Sequence, residues 1–133
     1  MKELILKLVV AGGVMGMMDA FWLMVAMKKF YRDEIGKLLL DKPNMNAALL
    51  FYVIYVVGVV VFVITPALEK DSWQHALGYG AFFGFVAYAT YDLTNMATLK
   101  GFSWKLVAYD LAWGAFLTAT MSVVTYFVVK ALI

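Results

Sequence analysis

The chain has 133 residues, of which 65% are hydrophobic and 15% charged, where a soluble domain carries about 45–50% and about 25%. A single domain so apolar has too little polar surface to cover itself in water, and a lipid bilayer is the solvent that accepts it. Absence of cysteine excludes disulfides, thiolate metal sites and a cysteine nucleophile, and a net charge of +2 without a basic run excludes nucleic acid as a partner.

A membrane span needs about 20 mostly apolar residues, since the hydrocarbon core is about 30 Å thick and a helix rises about 1.5 Å per residue. The first stretch of that length is Leu4 to Met27. It follows Lys2 and contains Ala11, Gly12 and Gly13, but it runs on through Trp22 without a small-residue cleavage site, so it is expected to be a mature helix rather than a secretion signal. The next stretch, Lys28 to Asn44, alternates Phe30, Tyr31, Ile35 and Leu38 with Lys28, Lys29, Arg32 and Lys37. That pattern predicts a short amphipathic helix ended by Pro43, serving as an anchor on the headgroups or as a gate over a site. Met45 to Thr65 is the second span and Pro66 to His75 the loop after it. Ala76 to Ala97 is the third span, Thr98 to Lys105 a loop, and Leu106 to Val129 the fourth span. The expected fold is all-α, a single integral membrane four-helix bundle.

Four spans place both termini on one face of the bilayer. That face holds Lys2, Lys7, Lys70 and Lys130, and the other holds Lys28, Lys29, Arg32, Lys37, Lys42, Lys100 and Lys105. The excess makes the second face cytoplasmic and the termini non-cytoplasmic, in what is expected to be a bacterial inner membrane.

Three carboxylates lie inside the spans: Asp19, Asp92 and Asp110. Each costs on the order of 2.5–3.5 kcal/mol in hydrocarbon by insertion scales, so each is expected to face a polar interior. Counted from the flanking Lys28, Lys100 and Lys105, all three fall roughly 8–12 Å inside the same membrane face. Helix one reads Asp19-Ala20-Phe21-Trp22 and helix four reads Asp110-Leu111-Ala112-Trp113, while helix three has Asp92-Leu93-Thr94-Asn95 with Tyr88 one turn earlier. Residues three or four apart share a helix face, so Trp22, Trp113, Asn95 and Tyr88 are expected beside these carboxylates, as hydrogen donors and as aromatic faces for a cation. Like charges held close disfavour joint ionisation, so one aspartate is expected to carry a proton unless a cation compensates. Structural glue between helices is the competing reading.

Other features have plainer explanations. Gly12 and Gly16, and likewise Gly80 and Gly84, are four apart, a spacing that lets helices approach closely within the chain, with a homodimer as the lesser alternative. Helix two has no ionisable residue from Met45 to Thr65 and is expected on the outside of the bundle. The methionines of helix one, Met15, Met17, Met18, Met24 and Met27, suit adaptable packing rather than copper. His75 is the single histidine and stands at the far end of helix three from Asp92, so no serine triad or histidine-based metal site is expected. Three Asp oxygens could bind a hard cation such as Mg²⁺ or Ca²⁺, but no ligand spacing beyond their common depth argues for one, and the residues leave the cofactor open.

The blocks FVAYATYDLTNMATLKG (residues 85–101), DAFWL (19–23), FYVIY (51–55), FVITPAL (62–68) and DLAWG (110–114) resemble a bacterial family of short predicted membrane proteins classed as a domain of unknown function. The resemblance covers nearly the whole chain, with YDLTNMATLKG its most specific block, and implies four membrane helices without an assigned activity. In size and span count the chain is also similar to small multidrug transporters, whose motifs it lacks. The residues favour binding or transport of a small cationic, protonatable or amphiphilic ligand at Asp19, Trp22, Tyr88, Asp92, Asn95, Asp110 and Trp113. The alternative is an accessory or catalytic part in membrane lipid modification.

Overall fold

The computed structural model describes residues 1–26, 28–40 and 42–133. Met27, the last residue of the expected first span, lies outside the described residues. Among the described residues every regular element is helical, so the chain is an all-α membrane protein. Its outer surface is apolar: Val9, Met17, Leu50, Ile54, Phe62, Phe82 and Phe116 all lie exposed. That inverts the distribution of a water-soluble fold and matches a surface solvated by acyl chains.

Helix α1 spans Lys2–Phe21 and passes into a π-helical turn, Trp22–Ala26. Helix α2 is Lys28–Ile35, followed by one 3₁₀ turn, Gly36–Leu38. Helix α3, Met45–Val59, continues through a second π turn, Val60–Ile64, into α4, Thr65–Glu69. Helices α5, Trp73–Thr98, and α6, Trp104–Leu132, complete the chain. Three of these starts share one device: the side chains of Asn44, Ser72 and Ser103 accept from the backbone N–H of Ala47, His75 and Leu106 at 3.1–3.2 Å, satisfying donors that a helix N-terminus leaves free.

Pro66 does not end the second span, as the sequence led us to expect. The π turn just before it widens the backbone where the proline ring would otherwise meet the preceding turn, and the helix runs on to Glu69. It stops there. Ser72 N–H donates to the Ala67 carbonyl at 3.0 Å and Asp71 N–H to Leu68 at 3.2 Å, with Asp71 left-handed at φ 53°. This is a Schellman end, and its last residue, Ser72, already caps α5. Lys130 pairs with Asp71 across this turn, and that hydrogen bond, with the ammonium charge, holds the Asp71 carboxyl below the usual carboxylate range.

The segments Lys2–Val25, Met45–Glu69 and Trp104–Leu132 are each long and apolar enough to cross a bilayer. Helix α5 has a comparable 26 residues but a more polar composition. Three of its exposed threonines, Thr90, Thr94 and Thr98, turn their hydroxyls onto carbonyls of their own helix at Val86, Thr90 and Thr94, so they present methyl groups outward with the hydroxyl satisfied.

The main core joins Ala11 and Met15 of α1, Tyr55, Val56 and Val59 of α3, Val63 and Ile64 beyond it, and Leu117 and Met121 of α6. Helix two is therefore central, a correction to its expected place outside. One face packs against its neighbours while Leu50, Ile54 and Phe62 turn outward, and both settings suit a helix free of charge. Lys7 is buried as well, donating to Thr65 Oγ1 at 3.0 Å with Glu3 at 3.5 Å.

Helices α5 and α6 run antiparallel along a seam of small residues. A methyl group added to Gly84 would stand 2.0 Å from the Gly114 carbonyl oxygen, one on Gly80 2.9 Å from Ser122 Oγ, and one on Gly114 2.4 Å from the Tyr88 ring. The backbones meet because side chains are missing there, as the Gly80 and Gly84 spacing implied. The Gly12 and Gly16 spacing does not act in this way: a methyl on Gly16 meets nothing within 4 Å.

Candidate functional site

The four-residue ladder Gly80, Gly84, Tyr88, Asp92 on α5 faces Asp110, Gly114, Thr118, Ser122 on α6. At its end the ladder sets Asp92 opposite Asp110, with both carboxyl groups buried. Asp92 is 0% exposed, and neither of its oxygens receives a hydrogen from any described donor. Asp110 is also buried but reaches a cavity of about 940 Å³.

Asp19 reaches the same cavity from α1. Its two oxygens are both occupied, Oδ1 by the Trp113 indole N–H at 3.0 Å and Oδ2 by the Tyr52 hydroxyl at 2.7 Å. Asp110 Oδ1 accepts from the Tyr31 hydroxyl at 2.6 Å, and that hydroxyl in turn accepts from the Trp22 indole at 2.8 Å. Burial first, and then the Asp110 charge, push the Tyr31 phenol above its usual range, so it remains a donor. Trp22 and Trp113 stack with ring centroids 4.2 Å apart and planes 7° from parallel. Each indole thus serves the far side of the site: Trp113 of α6 holds Asp19 of α1, while Trp22 acts on Asp110 through Tyr31. The π turn beginning at Trp22 alters the three-residue alignment that would have set this ring over Asp19.

Tyr55 and Tyr88 complete the aromatic wall, with ring centroids 6.3 Å apart and an edge-to-face angle of 87°. The Tyr55 hydroxyl is engaged with Thr118 Oγ1 at 2.7 Å. Lys28 and Arg32 line the mouth beside Leu39, Leu40 and Pro43. Helix α2 covers this side of the cavity and is fastened to α6 and the residues just before it at three points: Tyr31 on Asp110, Glu34 accepting from Ser103, and Ile35 packed with Phe102, Leu106 and Val107.

Of the residues expected to share a site, Asp19, Trp22, Tyr88, Asp110 and Trp113 line one cavity. Asp92 lies behind Asp110 instead of on the wall, and Asn95 is neither in the lining nor a donor to Asp92. Its three-residue spacing puts Asn95 near that face, but the seam with α6 fills the position with Asp110. Tyr31 and Tyr52, which donate to the two cavity carboxylates, escaped the sequence reading because one lies in a loop and the other on the helix assigned to the outside. Among the described residues no group of three or more acidic, histidine or cysteine side chains could hold a metal ion.

No curated protein and no solved structure significantly matches the chain. A family model does, over residues 4–127, and that range takes in both carboxylates of the cavity, both stacked indoles and the buried Asp92. The chain therefore belongs to DUF2177, a family of predicted membrane proteins, as the blocks around its aspartates implied.

Proposed function

We propose that this protein binds and transports a small cationic amphiphile at the cavity between α1, α2, α3, α5 and α6. The observation that carries the reading is the pairing of two carboxylates with two stacked indoles in one largely apolar cavity of about 940 Å³. Such a wall offers a lipophilic cation a counter-charge and π faces together, with little water to compete. The volume is in the range of pockets that enclose drug-sized ligands.

The fold acts here as four spans in the inner membrane of a bacterium, α5 being the third in chain order. Its 26 residues reach about 39 Å, its carboxylate is buried against α6, and its threonines are self-satisfied. The termini lie outside the cytoplasm and α2 lies on the cytoplasmic face, following the distribution of lysine and arginine. The chain acts alone or as a homodimer through the exposed Gly13, Gly16 and Met17 side of α1.

Tetraphenylphosphonium, a lipophilic cation without hydrogen-bond donors, tests the reading. The purified protein in lipid nanodiscs should bind it, and D19N or D110N should weaken binding by about tenfold or more, since each removes a counter-charge worth at least about 1.4 kcal/mol. Unchanged affinity in both variants would remove the cavity from consideration. A second reading is favoured by Lys28 and Arg32 at the mouth, a cationic pair at headgroup level above apolar walls. There the occupant is a phospholipid and the protein serves lipid modification. Competition by an anionic phospholipid, lost when Lys28 and Arg32 are both replaced by Gln and preserved in D19N, would select that reading.

A further inference from the structure

We infer that Asp92 and Asp110 form a proton-binding pair behind the cavity, holding one proton between their carboxyl groups and releasing it when a cation settles against Asp110. The inference deepens the cation-binding reading above and rests on it for the release step, although not for the proton itself.

The geometry leaves few options. Asp92 is 0% exposed, and no described donor reaches either of its oxygens. A buried carboxylate normally collects hydrogens from its surroundings, as Asp19 does from Tyr52 and Trp113. The group that the α5–α6 seam sets opposite Asp92 is another buried carboxyl, Asp110. Two ionised carboxylates are acceptors alone and repel, so with no cation beside them their contact in a dry seam calls for a hydrogen between them, and one proton supplies it. Asp110 can take part because its Oδ1 is held by Tyr31, which leaves the other oxygen for Asp92.

The surroundings offer no substitute for that proton. From α6 the pair is faced by Asp110 itself, from α2 by the neutral Tyr31 hydroxyl, and from its own helix by Tyr88 and Tyr91. From α1 comes a third carboxylate, Asp19, across the cavity. The charged groups of opposite sign that line the cavity are Lys28 and Arg32, at the mouth on α2.

The small-residue seam makes the contact obligatory. Gly84 against Gly114 and Gly80 against Ser122 fix the separation of α5 and α6 at backbone contact. Continuing the same four-residue ladder, Tyr88 and then Asp92 must fall opposite Gly114 and Asp110. The carboxyls are pressed together by packing elsewhere, and they cannot part without opening the seam.

A cation bound beside Asp110 supplies the positive charge that the proton supplied before. The O–H bond of the pair then breaks, the proton leaves through the cavity to water, and the pair gains one negative charge that the cation offsets. Cation and proton therefore compete for one site, the thermodynamic requirement for exchanging one against the other. By linkage, affinity for a monovalent cation tightens by up to about tenfold for each unit of rising pH while the pair titrates.

Calorimetric titration of the full-length protein in nanodiscs with tetraphenylphosphonium, in buffers of different ionisation enthalpy, counts protons released per cation. The wild type should release close to one within the titrating range. D92N, whose amide can donate to Asp110 and keep the contact, should bind with no proton release and with an affinity flat in pH. Equal release from D92N and wild type would overturn the inference. If the wild type binds no tetraphenylphosphonium, the cation reading falls and infrared spectroscopy decides the proton site by itself. At neutral pH the wild type should show the carbonyl stretch of a protonated carboxyl group, absent from both D92N and D110N. Should one variant fail to fold by circular dichroism, the other gives the reading. Lack of that band in the wild type, or its survival in a folded variant, would overturn the pair.

Discussion

The Tyr31 hydroxyl joins groups from three parts of the chain: it accepts from Trp22 at the end of the first span, donates to Asp110 in the last, and itself stands on α2. Tyr31→Phe removes a single oxygen but strands two partners, an indole N–H and a carboxylate oxygen, in a half-buried setting. Leaving such groups unpaired costs about 1–3 kcal/mol, so thermal unfolding in detergent should show a clear loss, while Tyr109→Phe, on an exposed residue, should be near neutral. Equal melting of the two variants would mean that the Trp22–Tyr31–Asp110 relay has no energetic weight. How legible this site was in the sequence can be read from the same residues. The D-x-x-W repeats identified Asp19, Trp22, Asp110 and Trp113, because a membrane carboxylate is costly and its neighbours at three residues are few. They could not reveal that the indoles cross over, since that depends on a π turn and on the approach of two helices 94 residues apart at the Trp113 to Asp19 bond. Tyr31 and Tyr52 were invisible for a related reason: tyrosines are frequent in this chain, and nothing local distinguishes those two from the other six.

Helix ends follow local chemistry more closely than hydropathy. The apolar runs begin later than the helices that carry them, since Ser72 and Ser103 start α5 and α6 two or three residues earlier than the expected spans at Ala76 and Leu106. Pro66 misled because its effect depends on the turn before it. Helix packing was partly legible: Gly80 and Gly84 mark a contact face, whereas Gly12 and Gly16, with identical spacing, do not. The partner makes the difference, because Gly114, Thr118 and Ser122 form a matching row on α6, while α1 presents Gly16 to the outside. The contrast gives a test. Gly84→Ala places a methyl group 2.0 Å from a backbone oxygen that cannot swing aside, so it should destabilise by about 1–3 kcal/mol, the range for overpacked interiors. Gly16→Ala meets open space and gains helix propensity, so it should be neutral or stabilising by up to about 1 kcal/mol. Melting temperatures in one detergent would compare them directly, and a Gly84→Ala protein as stable as the wild type would show that the seam is loose.

At the scale of the whole molecule, the number of bilayer crossings turns on α5. Helix α2 docks on the start of α6 through Ile35, Phe102 and Leu106, and Lys105 stands 5.9 Å over the Phe30 ring. The loops before α3 and before α6 are thus one continuous surface, which gathers Lys28, Arg32 and Lys105 on a single face. Helix α5 must return the chain to that face from the turn at Asp71. It does so alongside α6, with Gly80 near one end against Ser122 and Asp92 near the other against Asp110, so α5 spans whatever depth α6 spans over that length. The protein has no cysteine, so single reporters can be introduced on a silent background. With four crossings, a cysteine at Asp71 should react with a membrane-impermeant maleimide from outside intact cells, and cysteines at Lys37 and Lys100 should react only after lysis. Reaction at Lys37 and Lys100 with protection at Asp71 would invert the orientation and leave four spans standing. If Asp71 and Lys100 react together and Lys37 does not, α5 fails to cross, and the Asp92–Asp110 pair would then have to form at the membrane surface, where its burial would have no purpose.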